Sequence, residues 1–210
     1  MTRWIAAAAV LASLALIGCR DMGSAGANDG GDPKDQTVVG VKTGSEKGRY
    51  TDTLPRFDPK ARDGWPALLV EWAEKATKRY DAPTLTASAV AGLDDDVLIV
   101  DVREAREIGV SRIKGSMPLS SQIQRLEFIR KAKGKTVVVY CTVGWRSAEF
   151  AARLEEEGVD AYNLDGGLCG WAAAGQQIVN AMGLATNEIH AYNEDFAGAV
   201  PDGFEPRIRP

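Results

Sequence analysis

The chain has 210 residues, 45% of them hydrophobic, and carries 29 acidic against 25 basic side chains for a net charge of −4. That is enough apolar material for one core with appendages, and the mild acidity leaves no basic footprint for a nucleic acid. A single histidine, His190, and three scattered cysteines, Cys19, Cys141 and Cys169, are too few for a disulfide scaffold, a zinc site or a histidine-dependent triad.

Residues 1–19 read as an export signal. Arg3 supplies the positive start, and an alanine-rich apolar run follows over 5–17. That run is shorter than the roughly 20 residues a membrane span needs. It ends in Leu16-Ile17-Gly18-Cys19, which resembles the lipobox of bacterial lipoproteins. The resemblance implies that Cys19 is diacylated and becomes the N-terminus. The chain is then expected to be exported and lipid-anchored to the cell envelope, on the periplasmic face or the cell surface. Residues 20–49 are rich in Gly, Asp, Ser and Lys with no apolar periodicity, the composition of a flexible linker.

Residues 50–82 form an N-terminal extension. Its start is irregular, with Pro55 and Pro59, and Pro66 suits the first turn of a helix. Leu69, Trp72, Ala73, Ala76 and Tyr80 follow at helical spacing, with Glu71 and Lys75 four apart. This predicts an amphipathic helix packed on the main domain.

The main domain is read over 83–176. A short strand at 84–86 precedes a short helix at 87–93 and a polar turn of three aspartates at 94–96. The apolar run 97–100 reads as a strand covered on both faces and ends in Asp101-Val102-Arg103. A short helix over 104–108 sets Arg103 and Glu107 to pair across one turn. A turn and a brief extended piece span 113–119. The spacing over 120–132 predicts a helix with Ile123, Leu126 and Ile129 inward and Arg125, Arg130 and Lys131 outward. The β-branched run 136–139 predicts a buried strand, 147–157 a helix closed by Gly158, and 159–164 the last strand. A tight turn at 165–167 leads into a short helix. Such alternation implies an α/β fold with a parallel sheet covered on both faces. Residues 177–210 form a C-terminal extension with little periodicity, expected to wrap the domain and then fray.

Cys141 falls at the turn between a strand and a helix. In an open α/β sheet the carboxyl end of a strand is where sites are built. Loop amides and the helix dipole favour an anion there, the conditions that turn a thiol into a thiolate. A cysteine after a β-branched run is often an inert buried thiol. Here the loop glycine, Arg146 and the following helix weigh against that.

Four pieces occur in order: Asp101-Val102-Arg103 with Glu107; the stretch 113–118 with Gly115; Cys141-x-x-Gly144-x-Arg146-Ser147; and Gly166-Gly167-Leu168-x-x-Trp171. Together they resemble a single-domain rhodanese, a sulfurtransferase module, over residues 83–176. The resemblance implies a five-stranded parallel sheet with helices on both faces. It also implies that Cys141 takes a sulfane sulfur from a small anionic donor such as thiosulfate, becoming a persulfide, and passes it to a thiol or cyanide. No metal and no cofactor beyond that covalent persulfide is implied. Arg146 would orient the loop and help hold the donor. Thr142, Val143, Gly144, Trp145 and Ser147 would form the substrate-binding loop, with Ser147 capping the helix or bonding inside the loop. Four residues separate Cys141 from Arg146; cysteine phosphatases place five there, so the shorter loop favours sulfur over phosphate.

Around this loop, Asp101 and Arg103 are expected to hold the turn after their strand. Trp145 shapes the mouth of the site or packs on the loop, and Trp171 belongs to the core. His190 is structural or exposed. Cys169 lies on the same sheet edge as Cys141 and is a candidate resolving thiol or disulfide partner. One position departs from the family: Arg112 stands where a histidine is common, which leaves open how that turn is hydrogen-bonded. The alternative function is a non-catalytic rhodanese-like binding or redox-sensing module at the cell envelope.

Overall fold

The computed structural model describes residues 59–93 and 97–208. The export signal with Cys19, the linker at 20–49, Pro55 and the acidic turn at 94–96 lie outside the described residues.

A short 3-10 turn, Pro59–Arg62, precedes α1, Ala67–Tyr80, which Pro66 introduces. Leu69, Ala73 and Ala76 form its buried stripe, at the spacing that keeps one helix face inward. Then come β1 (Thr84–Leu85), α2 (Ala87–Ala91), β2 (Val97–Asp101), α3 (Ala105–Val110), β3 (Arg112–Ile113) and β4 (Met117–Pro118). They are followed by α4 (Gln122–Lys131), β5 (Thr136–Tyr140), α5 (Trp145–Glu156), β6 (Ala161–Leu164) and α6 (Gly167–Ala173).

Five strands make one parallel sheet in the order β1-β6-β5-β2-β4. Every residue of β5 and of β6 is buried. Successive strand side chains point to opposite faces, so both faces of the sheet's middle are covered. The register pairs Asp101 of β2 with Tyr140 of β5. Two turns therefore leave the sheet side by side, one carrying Arg103 and the other Cys141.

In α4 the expected stripe holds in part: Arg130 and Lys131 face outward and Ile129 is half-buried, but the other two apolar positions turn out. Ile123 and Leu126 are 78% and 63% exposed, whereas Phe128 is buried. The spacing defines an apolar line on a helix but not which line meets the core. Here the larger side chain takes the inward position, with its ring 6.3 Å from that of Phe150 on α5. Ser121 fixes where α4 begins through a reciprocal capping box with Gln124.

The C-terminal extension does not fray at the end of the domain. It forms β7 (Ile178–Val179), β8 (Ala185–Thr186), β9 (Glu188–His190), a 3-10 segment Glu194–Ala199 and β10 (Glu205–Arg207). β3, β7 and β8 make an antiparallel sheet, and β9 pairs in parallel with β10. Ile178, Val179, Ile189 and Phe196 bury their side chains, and that burial orders strands too short to show a period.

Both extensions reach one aromatic cluster. The Trp72 ring of α1 lies 5.4 Å from Trp145 and 4.9 Å from Phe196, and Tyr80 lies 5.2 Å from Trp145. The turn around Arg112 is bonded without that side chain: Tyr140 Oη accepts from Ile113 N at 3.1 Å, and Ser116 Oγ donates to Ile113 O at 2.8 Å. Among the described residues no helix is long and apolar enough to cross a membrane.

Candidate active site

Cys141 is the first residue past β5, and only 1% of it is exposed. The chain then turns through Thr142 and Val143 to Gly144, whose φ of 88° precedes the first turn of α5. That left-handed angle suits glycine. The loop carbonyls do not face water. Leu168 N donates to Cys141 O at 2.8 Å and Cys169 N donates to Thr142 O at 3.0 Å. A Cβ on Gly167, which has φ of 57°, would stand 2.3 Å from Cys141 O. The two-glycine turn is thus the floor on which the cysteine loop rests.

The N-terminal extension holds that floor in turn. Arg62 donates from Nε and Nη2 to the two carboxylate oxygens of Asp165, at 2.9 and 2.7 Å. The Trp65 ring lies where a Cβ on Gly166 or Gly170 would be, at 2.7 and 2.9 Å.

Glu107 on α3 is fully buried and ties three elements together. It accepts from Glu104 N at 3.0 Å, completing the capping box of α3. It accepts from Thr142 Oγ1 at 2.9 Å. Arg146 Nη1 and Nη2 donate to it in parallel at 2.9 and 2.6 Å, the geometry that makes arginine–carboxylate bonds strong. Burial raises the Glu107 pKa, but the Arg146 bonds and charge outweigh it, and the carboxyl lies below its ordinary value. Burial likewise works against the charge on Arg146. Glu107 and the nearby Cys141 more than offset it, so the guanidinium stays charged.

The expected pairing of Arg103 with Glu107 does not form. Arg103 precedes α3, so helical spacing does not bring the two together. Instead its Nε and Nη2 donate to Asp101 at 2.9 and 2.7 Å, and Nη2 also donates to Ser111 O at 2.6 Å. Both side chains are fully buried.

Ser147 lies inside α5, which Gly144 precedes as the cap, so Ser147 does not cap it. Its hydroxyl reaches Asn163 Oδ1 at 2.7 Å and Cys141 Sγ at 3.6 Å. One proton cannot serve both acceptors. With the Asn163 carboxamide turned by half a rotation, Asn163 donates to Ser147 and the Ser147 proton goes to the sulfur.

Trp145 turns its ring towards Trp72 and Tyr80. Trp171 is buried and donates from Nε1 to Gln177 O at 3.1 Å. Cys169 is fully buried, both it and Cys141 are free thiols, and burial pushes the Cys169 pKa up to about 12. His190 is fully buried rather than exposed. Its Nδ1 accepts from Tyr192 N at 3.0 Å, while Nε2 has no partner. Burial lowers its pKa, with Glu107 pulling the other way. Among the described residues no three metal-ligating side chains converge.

Three contributors escape a reading of the sequence. Glu107 lies within a recognised motif, but its partner is 39 residues away. Asn163 is a polar residue in a buried strand, and buried polar groups need partners; that was its signal. Tyr192 sits in a stretch without periodicity and carried none. Its φ of 70° is rare outside glycine and costs about 1–2 kcal/mol. Its ring centre lies 5.0 Å from Arg146 Cζ.

Residues 86–174 match the rhodanese-like domain family. A sulfurtransferase of Allochromatium vinosum is 34% identical over 90 residues, 42% of this chain and 84% of that protein. A thiosulfate sulfurtransferase of Pseudoalteromonas translucida is 32% identical over 81 residues, 38% of this chain and 77% of that protein. A tRNA uridine(34) hydroxylase of Bordetella pertussis is 33% identical over 146 residues, 57% of this chain and 59% of that protein.

The Glu107 carboxyl titrates below its ordinary value of 4.5 when folded. Its contribution to stability is therefore complete above that value and is lost as pH falls through the lower, folded one. Glu107→Gln should lower stability at neutral pH by about 3 kcal/mol, because it leaves Arg146 without its charge partner. Denaturant midpoints measured from neutral to acid pH should fall more steeply below pH 4.5 for the natural protein than for this variant. Parallel curves would show that the ion pair stabilises nothing.

Proposed function

The chain belongs to the rhodanese-like family, and on that premise we propose that it transfers a sulfane sulfur through a persulfide on Cys141. The donor is a small anionic sulfur compound such as thiosulfate, and the acceptor is a thiol or cyanide. The observation that carries this reading is the loop itself. A cysteine leaves the middle strand, a serine hydroxyl reaches its sulfur, and an arginine is held charged beside it by a buried glutamate.

In the first half-reaction the Cys141 sulfur attacks the outer sulfur of thiosulfate. A bond forms between the two sulfurs as the donor's own S–S bond breaks, and its electron pair leaves with sulfite. In the second, cyanide attacks the outer sulfur of the persulfide. The pair returns to Cys141 and thiocyanate departs, so the cycle closes with no oxidant or reductant beyond donor and acceptor. The amides of residues 142–146, at the start of α5, supply partial positive charge to an anionic sulfur. Gly144 lets the backbone fold around that sulfur, and Thr142, bonded to Glu107, keeps the loop from opening. Arg146 keeps a positive charge beside the persulfide through both steps. Purified protein given thiosulfate and cyanide should yield thiocyanate, and Cys141→Ser should reduce the yield to background. Thiocyanate formation that survives Cys141→Ser would remove this cysteine from the mechanism.

We further propose that the protein is exported and lipid-anchored through Cys19, on the strength of Leu16-Ile17-Gly18-Cys19 after an apolar run. The sulfur site would then work at the cell envelope, on the periplasmic face or the cell surface. Cells fed a fatty-acid analogue should label the protein in the membrane fraction, and Cys19→Ser should abolish the label. An unlabelled natural protein in the aqueous fraction would contradict the anchor.

A further inference from the structure

The family match ends at residue 174, and a side chain that packs on Arg146 lies beyond it. Glu107 takes the edge of the Arg146 guanidinium, while Arg146 Cζ lies over the Tyr192 ring, 5.0 Å from its centre. The same ring lies 5.6 Å from Cζ of Arg106. Tyr192 belongs to one apolar cluster with Val143, Trp145 and Phe196. The loop itself is closed: Cys141, Thr142 and Val143 are 1%, 3% and 4% exposed.

The ring is held in this place against the preference of its backbone. Tyr192 has φ of 70°, where a bulky residue is an outlier. Tyr192 N donates to His190 Nδ1, Asn193 N to Ala191 O, and Ala191 N to Arg207 O. Strain maintained by surrounding bonds points to a use for the position it creates.

We propose that Tyr192 is a specificity-determining residue that narrows the approach to Cys141, admitting slim sulfur donors and acceptors and holding back branched thiols. The substrate class rests on sulfur transfer at Cys141; the narrowing itself is a property of thiol access. With Arg146 bonded to Glu107 and packed on the Tyr192 ring, an incoming molecule has to pass beside the ring. A cyanide ion or a linear sulfane chain is thin enough for that passage, and a tripeptide thiol is not unless the ring moves aside. The ring does this, not the hydroxyl, so phenylalanine can replace it.

The test measures alkylation rates at Cys141 by peptide mass in the full-length protein, with small iodoacetamide and bulkier N-ethylmaleimide. Tyr192→Ala should raise the N-ethylmaleimide rate about tenfold more than the iodoacetamide rate, and Tyr192→Phe should keep the natural ratio. In the sulfur-transfer assay the same alanine variant should raise kcat/KM for glutathione relative to cyanide. Equal acceleration of both reagents would mean general loosening and overturn the proposal. So would unchanged rates in an alanine variant whose thermal melt is intact. A shifted alkylation ratio with no sulfur transfer in any variant would uphold the narrowing and overturn the transfer reading.

Discussion

Burying a carboxylate is costly unless charge and hydrogen bonds replace the water it loses. Glu107 has no exposed surface, and its partners come from its own helix start, the cysteine loop and the first turn of α5. Two stretches of chain, one leaving the sheet after β2 and the other after β5, are locked together by that one side chain. Asp101 and Arg103 do a parallel job next door, with Arg103 Cζ 5.5 Å from the Tyr140 ring centre. Each of these arginines is balanced by a carboxylate. The loop is therefore held in shape by fixed ion pairs.

The residues outside the family match are part of the same construction. Arg62 and Trp65 hold the Asp165-Gly166 turn, the amides of the following Leu168 and Cys169 donate to the carbonyls of Cys141 and Thr142, and α1 packs Trp72 and Tyr80 on Trp145 at the head of α5. The C-terminal stretch adds Tyr192 above Arg146. The Cys141 loop is thus braced through the Asp165-Gly166 turn by one extension and packed at Arg146 by the other.

Much of this was legible from residue order because it rests on local rules. A β-branched run, a cysteine loop with glycine, and an amphipathic helix identify β5, the turn and α5. The stripe of α1 also declared its buried face, since its large aromatics and small alanines fall on one side. What was not legible depends on contacts distant in sequence. Arg103 and Glu107 are close in number, yet each bonds elsewhere. Ile123 and Leu126 form as good a stripe as Phe128 with its neighbours, and only packing on Phe150 decides between them. The short strands after residue 177 show no period, so neither the burial of His190 nor the position of Tyr192 could be read. Asn163 differs, because a polar residue in a buried strand signals a partner.

Covalent carriage of sulfur by Cys141 is tested most directly by the intact and peptide mass of the protein after exposure to sulfane donors. A gain of one sulfur atom at Cys141, removed by a thiol or cyanide, is the predicted result. Absence of an adduct at Cys141 with every sulfane donor tried, or sulfur found on Cys169 instead, would contradict it.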